Sequence, residues 1–334
     1  MKPEQRLLVS IPALNEEGSI GEAIQAVREV LQGCEMLASV SHGLILVIDD
    51  GSSDKTQQIA LEKGALVIRH VSNRGVGAAF HSAVRKALEL GVDYLVTIDA
   101  DLQFDPQDIP KLLQPLLEGR ADSVTGSRFS DPGCFPRGIP RVRHFGNLAM
   151  SALVSLITGK RFSDVSCGFR AYTRECLLHL NLKGEFTYTQ ESFIELVAKQ
   201  VRIEEVPIRV RYFEGRVSRV AGSVLRYGMK TSAIILRALL EYRPLWLLSR
   251  VAAVLALVSV ALSVPVARNL AAVGAFTPYK FLACISGAIL SVAIVLLLTG
   301  LVAQRLAQLR REQEYLIYLA KRQAFGSDFP PAND

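Results

Sequence analysis

Tyr94 to Pro106 reads YLVTIDADLQFDP, a short β-rich apolar run that breaks into an acidic turn and then, at Asp105-Pro106, opens a helix. The run predicts a strand over Tyr94 to Asp99. Asp99, Asp101 and Gln103 then stand at alternate positions. In extended backbone such side chains share a face, so three oxygen ligands can converge on one hard cation, Mg²⁺ or Mn²⁺. As pure structure, the same residues are a strand-end turn with a helix cap. The pattern recurs to either side: Leu7 to Pro12, Leu44 to Asp49, Ala65 to His70 and Asp122 to Gly126 read as strands. Helical patterns fill the gaps at Ser19 to Leu31, Thr56 to Lys63, Ala78 to Leu90 and Pro106 to Leu117. The alternation predicts an α/β domain with a mostly parallel sheet and helices on both faces. In such sheets ligands sit at the carboxyl ends of the strands.

The other chemistry-bearing runs fall at those ends. Val47 to Thr56, VIDDGSSDKT, is a strand entering a tight acidic turn. Asp-Gly and a helix cap at Ser53 or Asp54 account for much of it, but not for two successive carboxylates, Asp49 and Asp50, suited to accept from a base or ribose. Ser10 to Glu17, SIPALNEE, leaves Asn15, Glu16 and Glu17 at a helix start, where acids suit the dipole. Asn73 to Ala79, NRGVGAA, offers Gly75 and Gly77 for close backbone approach. It lacks the third glycine of a dinucleotide fingerprint, so a nicotinamide enzyme is disfavoured.

The chain has 334 residues, 50% hydrophobic, with 38 Lys+Arg against 32 Asp+Glu for a net charge of +6. Its basic residues flank apolar runs and form no stripe interleaved with aromatics, so nucleic acid is not an expected partner. Five dispersed cysteines without a CxxC pair argue against a disulfide framework or a zinc site. The first residues lack the pattern of a signal peptide. Val251 to Ala267 and Phe281 to Ala303 contain no Asp, Glu, Lys or Arg. Each approaches the roughly 20 apolar residues that span a bilayer, a buried helical hairpin being the alternative. The linker carries only Arg268 and Lys280, whereas both outer flanks are rich in arginine. Charge bias therefore places the catalytic domain and both termini in the cytoplasm. The organisation expected is a domain over 1–222, an interfacial amphipathic helix over 223–244, membrane helices over 245–267 and 281–303, and a tail over 304–334. Asn147 to Ile157 reads either as a second interfacial helix or as a core helix.

In order, SIPALNEE, VIDDGSSDKT, NRGVGAA, IDADLQFDP, GSRF (Gly126 to Phe129) and SDVSCGFRAYTRE (Ser163 to Glu175) resemble the family 2 inverting glycosyltransferases of the GT-A fold. The likeness covers Leu7 to about Val220 and is nearest the dolichyl-phosphate mannose synthase and bacterial polyprenyl-phosphate glycosyltransferase branch. It implies a nucleotide-sugar donor, a UDP- or GDP-sugar, held by Pro12, Leu14, Glu16, Asp49 or Asp50, and Gly77. It implies a metal among Asp99, Asp101 and Gln103. Leu14 replaces the aromatic often found at that place. The QxxRW motif of processive synthases is absent, which disfavours a polysaccharide synthase.

The resemblance also implies a polyprenyl phosphate as acceptor and the lipid bilayer as partner. Such a phosphate is largely dianionic at neutral pH and can attack the anomeric carbon without a general base. It requires arginines to aim it. Candidates are Arg128, Arg141, Arg143, Arg170 and the cluster Arg209, Arg211, Arg216 and Arg219, with Arg128, Arg143 and Arg219 implied by the family pattern. Asp164 would orient the acceptor or an arginine, or serve as a cap or ion pair. Two other readings stand: transfer to a hydroxyl-bearing lipid or glycan, with Glu191 or Asp164 as base, and a non-catalytic membrane scaffold. The sugar, the base and whether the chain forms a homo-oligomer are left open.

Overall fold

The structure is a computed structural model; it describes residues 5–34, 36, 40–131, 133, 139, 141–181, 188–211, 236, 240 and 243–325. From the amino end run β1 (Gln5–Ala13), α1 (Ile20–Gly33), β2 (Val40–Asp49), α2 (Thr56–Glu62), β3 (Leu66–Arg69), α3 (Val76–Leu90) and β4 (Tyr94–Thr97). A 3₁₀ turn, Pro106–Asp108, leads into α4 (Ile109–Leu117), then β5 (Ser123–Ser127), α5 (Arg141–Thr158), β6 (Arg170–Thr173), α6 (Arg174–His179), α7 (Thr189–Ala198) and β7 (Ile203–Pro207). Among the described residues these strands form one seven-stranded sheet in the order β3-β2-β1-β4-β6-β5-β7.

Alternation along β1 builds two cores. Leu7, Val9 and Ile11 face one layer with Ile20, Ile24 and Val27 of α1 and Leu112 and Leu113 of α4. Leu8 faces the other, with Phe80, Ala83 and Ala87 of α3 and with Tyr172 and Leu177. The helical residues recur at three- and four-residue spacing, so each helix lays one apolar stripe on the sheet.

β1 pairs in parallel with β2 on one side and β4 on the other. The order reverses there, opening a crevice outside the carboxyl ends of β1 and β4. The one reversed strand is β6, antiparallel to both β4 and β5. Because it runs backwards, it begins at the carboxyl edge, and the loop 163–169 that feeds it enters the same crevice. Motif reading places SDVSCGFRAYTRE near the site but does not identify this strand.

β4 is shorter than expected. It stops at Thr97, which pairs with both Ser10 and Arg170, and Ile98 N makes a last bond to Ser10 O at 3.0 Å. Beyond it Leu102 adopts a left-handed φ of 59°. Asp99, Asp101 and Gln103 are therefore gathered by a turn, not by the alternation of an extended strand. The helix opening at Asp105-Pro106 is as expected, Asp105 Oδ1 accepting from Gln107 N at 3.1 Å.

The chain divides into two compact units, Met1–Thr231 with Tyr318–Asp334, and Ser232–Ile317. The second holds α8 (Pro244–Val273) and most of α9 (Lys280–Phe325), each with a window long and apolar enough to cross a membrane, 11% of it buried. Within this unit Ser259 Oγ donates to Ser286 O at 2.7 Å. α9 does not end at Ala303. Helix-forming Gln, Leu, Ala, Arg and Glu residues and an Arg310–Glu314 pair at 3.1 Å carry it on to Phe325. The interfacial helix expected over 223–244 lies almost wholly outside the described residues.

Candidate functional site

Two loops at the carboxyl edge are tied together. Asn15 N donates to Ser52 Oγ at 2.9 Å and Ser53 N to Asn15 Oδ1 at 2.8 Å. Glu16 N donates to Thr56 Oγ1 at 2.8 Å, and Lys55 N to Glu17 Oε2 at 3.1 Å. Asn15 takes a left-handed φ of 51° to make these contacts. Half-buried Pro12 and Leu14 lie just before this junction. Gly51, at φ +81°, abuts the next loop so closely that a Cβ would lie 2.7 Å from the Ser72 carbonyl carbon. That closeness requires glycine.

The two adjacent carboxylates divide their work. Asp50 is consumed internally: Oδ1 accepts from His70 Nδ1 at 2.6 Å and Arg74 N at 3.0 Å, and Oδ2 from Gly75 N at 2.7 Å. His70 Nε2 lies 2.8 Å from Ser82 Oγ on α3. Since an ionised Asp50 only accepts, His70 Nδ1 carries a proton. Asp50 thus shapes the NRGVG loop, behind which Gly77 is buried in the first turn of α3. Asp49 uses Oδ1 for Ser52 N at 2.9 Å, whereas its buried Oδ2 has no hydrogen bond among the described residues and only Arg69 Nε at 3.5 Å. Of the pair, Asp49 has the oxygen left to offer a ligand.

Asp99 is half-buried at the crevice floor. Burial, then the neighbouring charge of Asp101, raises its carboxyl to about 7; Arg128 opposes the rise and Glu16 adds to it. These couplings place Asp99, Asp101, Glu16 and Arg128 in one electrostatic cluster. Gly168 forms its wall: a Cβ there would touch both Asp99 carboxylate oxygens and Tyr188 Oη at 3.5 Å. Its carbonyl accepts from Thr97 Oγ1 at 2.7 Å and Tyr188 Oη at 3.2 Å, and Tyr188 stacks on Phe80 with centroids 4.1 Å apart.

Among the described residues no three His, Cys, Asp or Glu side chains form a ready metal cage. Two neighbouring carboxylates, Asp99 driven toward its neutral form by burial and then by the charge of Asp101, nevertheless fit a divalent cation, which would offset both. Mg²⁺ and Mn²⁺ commonly complete such a shell with water and substrate phosphate. Gln103 is adjacent, its N donating to Asp101 Oδ1 at 3.1 Å.

Arg128 immediately follows β5 and meets the wholly buried Asp164. Nε is 2.6 Å from Oδ2 and Nη2 is 2.8 Å from Oδ1, while Arg128 N donates to Oδ2 at 3.1 Å and Nη2 reaches Ser166 Oγ at 3.0 Å. Arg170, 2% exposed, bonds the loop carbonyls of Cys167 at 2.8 Å and Val165 at 3.0 Å and lies 4.6 Å over the Phe193 ring. Its guanidinium is engaged by the loop it supports. Arg209 and Arg211 are exposed; Arg211 reaches Asp105 Oδ2 at 3.5 Å. The side chains of Arg141 and Arg143, and all of Arg216 and Arg219, lie outside the described residues. Glu191 opens α7, half-buried. His70, Tyr188 and Glu205 were not legible as site residues, since each sits singly in a strand, at a strand end or at a helix start without a motif of its own, and Ser163 opens the SDVSCGFRAYTRE motif without a role read for it.

A family model described as glycosyl transferase family 2 matches residues 8–180. The UDP-N-acetylglucosamine–dolichyl-phosphate N-acetylglucosaminyltransferase of Methanococcus voltae is 30% identical over 68% of this chain and 93% of its own. The polyprenol monophosphomannose synthase of Mycolicibacterium smegmatis is 30% identical over 69% and 86%. Among solved structures, glucosyl-3-phosphoglycerate synthase from Mycobacterium tuberculosis, in complex with Mn²⁺, uridine-diphosphate and glucosyl-3-phosphoglycerate, matches with a TM-score of 0.54 and 25% identity over 70% of this chain and 81% of that one.

Proposed function

The chain belongs to glycosyl transferase family 2 and has its GT-A fold, and from that premise we propose that it transfers a sugar, with inversion, from a nucleotide-sugar to a polyprenyl phosphate at a membrane surface. The relatives named for dolichyl-phosphate and polyprenol acceptors support the acceptor class. The Mn²⁺ and uridine-diphosphate complex of the structural neighbour supports the cofactor and donor class.

The observation that carries the reading is the state of Asp164. A base for a hydroxyl acceptor needs an accessible lone pair, yet Asp164 is wholly buried and both its oxygens are occupied by Arg128. A phosphate acceptor needs no base. It needs a cation, and Arg128 stands in the same electrostatic cluster as Asp99 and Asp101.

Asp99, Asp101 and Gln103 would hold Mg²⁺ or Mn²⁺, which neutralises the departing nucleoside diphosphate. Asp49 Oδ2 and the loops tied by Asn15 and Glu16 hold the nucleoside. Arg128, held rigid by Asp164, aims the attacking phosphate oxygen at the anomeric carbon from the side opposite the leaving group, which inverts the configuration.

α5 fits this placement. Phe145, Leu148 and Leu156 are exposed by 64%, 54% and 63% on one face, while Ser151 and Val154 bury the other. Of the two expectations for Asn147 to Ile157, the exposed apolar stripe supports an interfacial helix, with the active-site mouth at headgroup level. α8 and α9 would then anchor the chain, both ends cytoplasmic.

The test uses membranes containing the full chain, undecaprenyl or dolichyl phosphate, and a series of radiolabelled UDP- and GDP-sugars. Cation-dependent label in the lipid phase, released by mild acid as the free sugar with the phosphate left on the lipid, is expected. Acid-stable label would mean a hydroxyl acceptor. Cation-dependent donor binding without any transfer would mean a scaffold.

A further inference from the structure

Glu205 lies on β7, paired with Thr125 of β5, and no motif draws attention to it. Its carboxylate accepts from the loop that carries Asp164: from Ser163 N at 2.9 Å to Oε2, from Asp164 N at 2.9 Å to Oε1, and from Ser163 Oγ at 3.0 Å. Burial, followed in effect by those hydrogen bonds that oppose it, leaves the Glu205 carboxyl above its ordinary range.

We infer that Glu205 is the positioning residue for both halves of the Arg128–Asp164 pair. The inference rests on the functional reading above only in assigning Arg128 to the acceptor phosphate. Toward Asp164 the link is direct, through the two backbone N–H groups on its amino side. Toward Arg128 it runs through two hydroxyls whose polarity the carboxylate sets. An ionised Glu205 can only accept, so Ser163 must donate its hydroxyl proton to Oε2. Ser163 Oγ is then free to accept from Ser127 Oγ, 2.7 Å away. With its proton so directed, Ser127 turns its lone pairs to Phe129 N at 3.2 Å and Ser130 N at 3.1 Å, the turn that follows Arg128. One carboxylate thus orders the backbone on both sides of the ion pair, and every donor in the relay has an acceptor.

An isosteric amide breaks this logic. In Glu205→Gln at least one position that accepts from an N–H becomes an NH₂ donor facing another donor, so shape is kept and polarity is reversed. Ser163→Ala is milder: it leaves both backbone bonds to Glu205 and removes only the hydroxyl relay.

The experiment is hydrogen–deuterium exchange with residue-level fragmentation on the full chain in detergent, beside kinetics for nucleotide-sugar and polyprenyl phosphate. For Glu205→Gln, exchange should rise about tenfold at Ser163, Asp164, Phe129 and Ser130, with the β1–α1 loop at the wild-type rate. Ser163→Ala should raise exchange at Phe129 and Ser130 while leaving Asp164 N–H protected. In both, KM for the acceptor should rise about tenfold with donor affinity unchanged. A uniform rise in exchange across all peptides, or wild-type protection at Phe129 and Ser130 in both variants, would overturn the inference. If Glu205→Gln does not fold, the selective pattern in Ser163→Ala decides alone. A wild-type chain that transfers no sugar to lipid phosphate would sink the proposed function, and the exchange pattern would still decide the role of Glu205.

Discussion

Arg128 straddles Asp164 in a two-point fork, Nε on Oδ2 and Nη2 on Oδ1, so that its guanidinium is held as a fixed donor. Removing one member leaves the other buried and uncompensated. Asp164→Ala should destabilise the chain by about 3–5 kcal/mol. Arg128→Lys keeps the charge but cannot reproduce the fork; it should raise KM for polyprenyl phosphate by about tenfold and leave donor affinity alone. Chemical denaturation for the first and a pair of titrations for the second are the checks. Loss of donor binding in Arg128→Lys would assign this arginine to the diphosphate instead.

Asp99 links stability to pH and to the cation. Its carboxyl, ordinarily near 3.8, is raised to about 7 in the metal-free fold. Between those values the folded chain keeps a proton that the unfolded chain has released, so raising the pH through this window removes stability. In chelator, Tm should therefore be lower at about pH 8 than at about pH 5, and added Mn²⁺ should raise Tm more at the higher pH. Asp99→Asn should flatten both trends. A wild-type Tm that ignores pH in chelator would contradict the raised Asp99 carboxyl.

The elements most legible in the sequence were those whose pattern is local. β1 and β2 show as apolar runs, and Asp99, Asp101 and Gln103 show as an acidic strand end. Their geometry was not legible, because nothing in a leucine announces that Leu102 will turn left-handed. β6 escaped because RAYT is short and opens on an arginine, and Arg170 is buried only because loop carbonyls and an aromatic face receive it. Glu205 reads as a solvated strand residue until the 163–169 loop folds over it. VIDD could not say which aspartate stays available; that depends on His70, twenty residues away in sequence.

His70 supports the donor side from behind. His70→Phe fills much of the same volume but leaves Asp50 without its side-chain donor and Ser82 without its ring partner. The Arg74–Gly75 turn then hangs on an Asp50 carboxylate that no side-chain donor fixes. Affinity for the nucleoside diphosphate that binds the wild type, tested as uridine and guanosine diphosphate with Mn²⁺, should fall about tenfold while acceptor KM holds. Calorimetry decides it; unchanged donor affinity would make the network a matter of stability only.

The last turns of α9, from Tyr318 on, belong to the same compact unit as the sheet. Tyr318 is 9% exposed; its ring stacks on His179 with centroids 4.3 Å apart and planes within 2°, and its hydroxyl donates to Glu175 Oε1 at 2.5 Å. Lys321 Nζ donates to Leu180 O at 2.8 Å and Asn181 Oδ1 at 2.7 Å, serving a carbonyl at the end of α6 that has no partner within that short helix. Arg174 closes the contact on Phe325 O. Tyr318→Ala should therefore cost the catalytic unit about 3 kcal/mol, and Tyr318→Phe, which loses only the hydroxyl, about 1 kcal/mol. Burial lowers the His179 pKa from its ordinary 6.5. The folded chain thus keeps His179 neutral where the unfolded chain would charge it, and the stability this represents is lost as pH falls below that value. Removing the Tyr318 ring uncovers His179 and relieves its desolvation, so the stability gap between wild type and Tyr318→Ala should narrow as pH falls from about 7 to about 5, whatever the net trend of either protein. Denaturant melts of the three proteins across that range are the measurement. Parallel pH profiles for wild type and Tyr318→Ala would show that this helix end rests on the domain without burying the histidine.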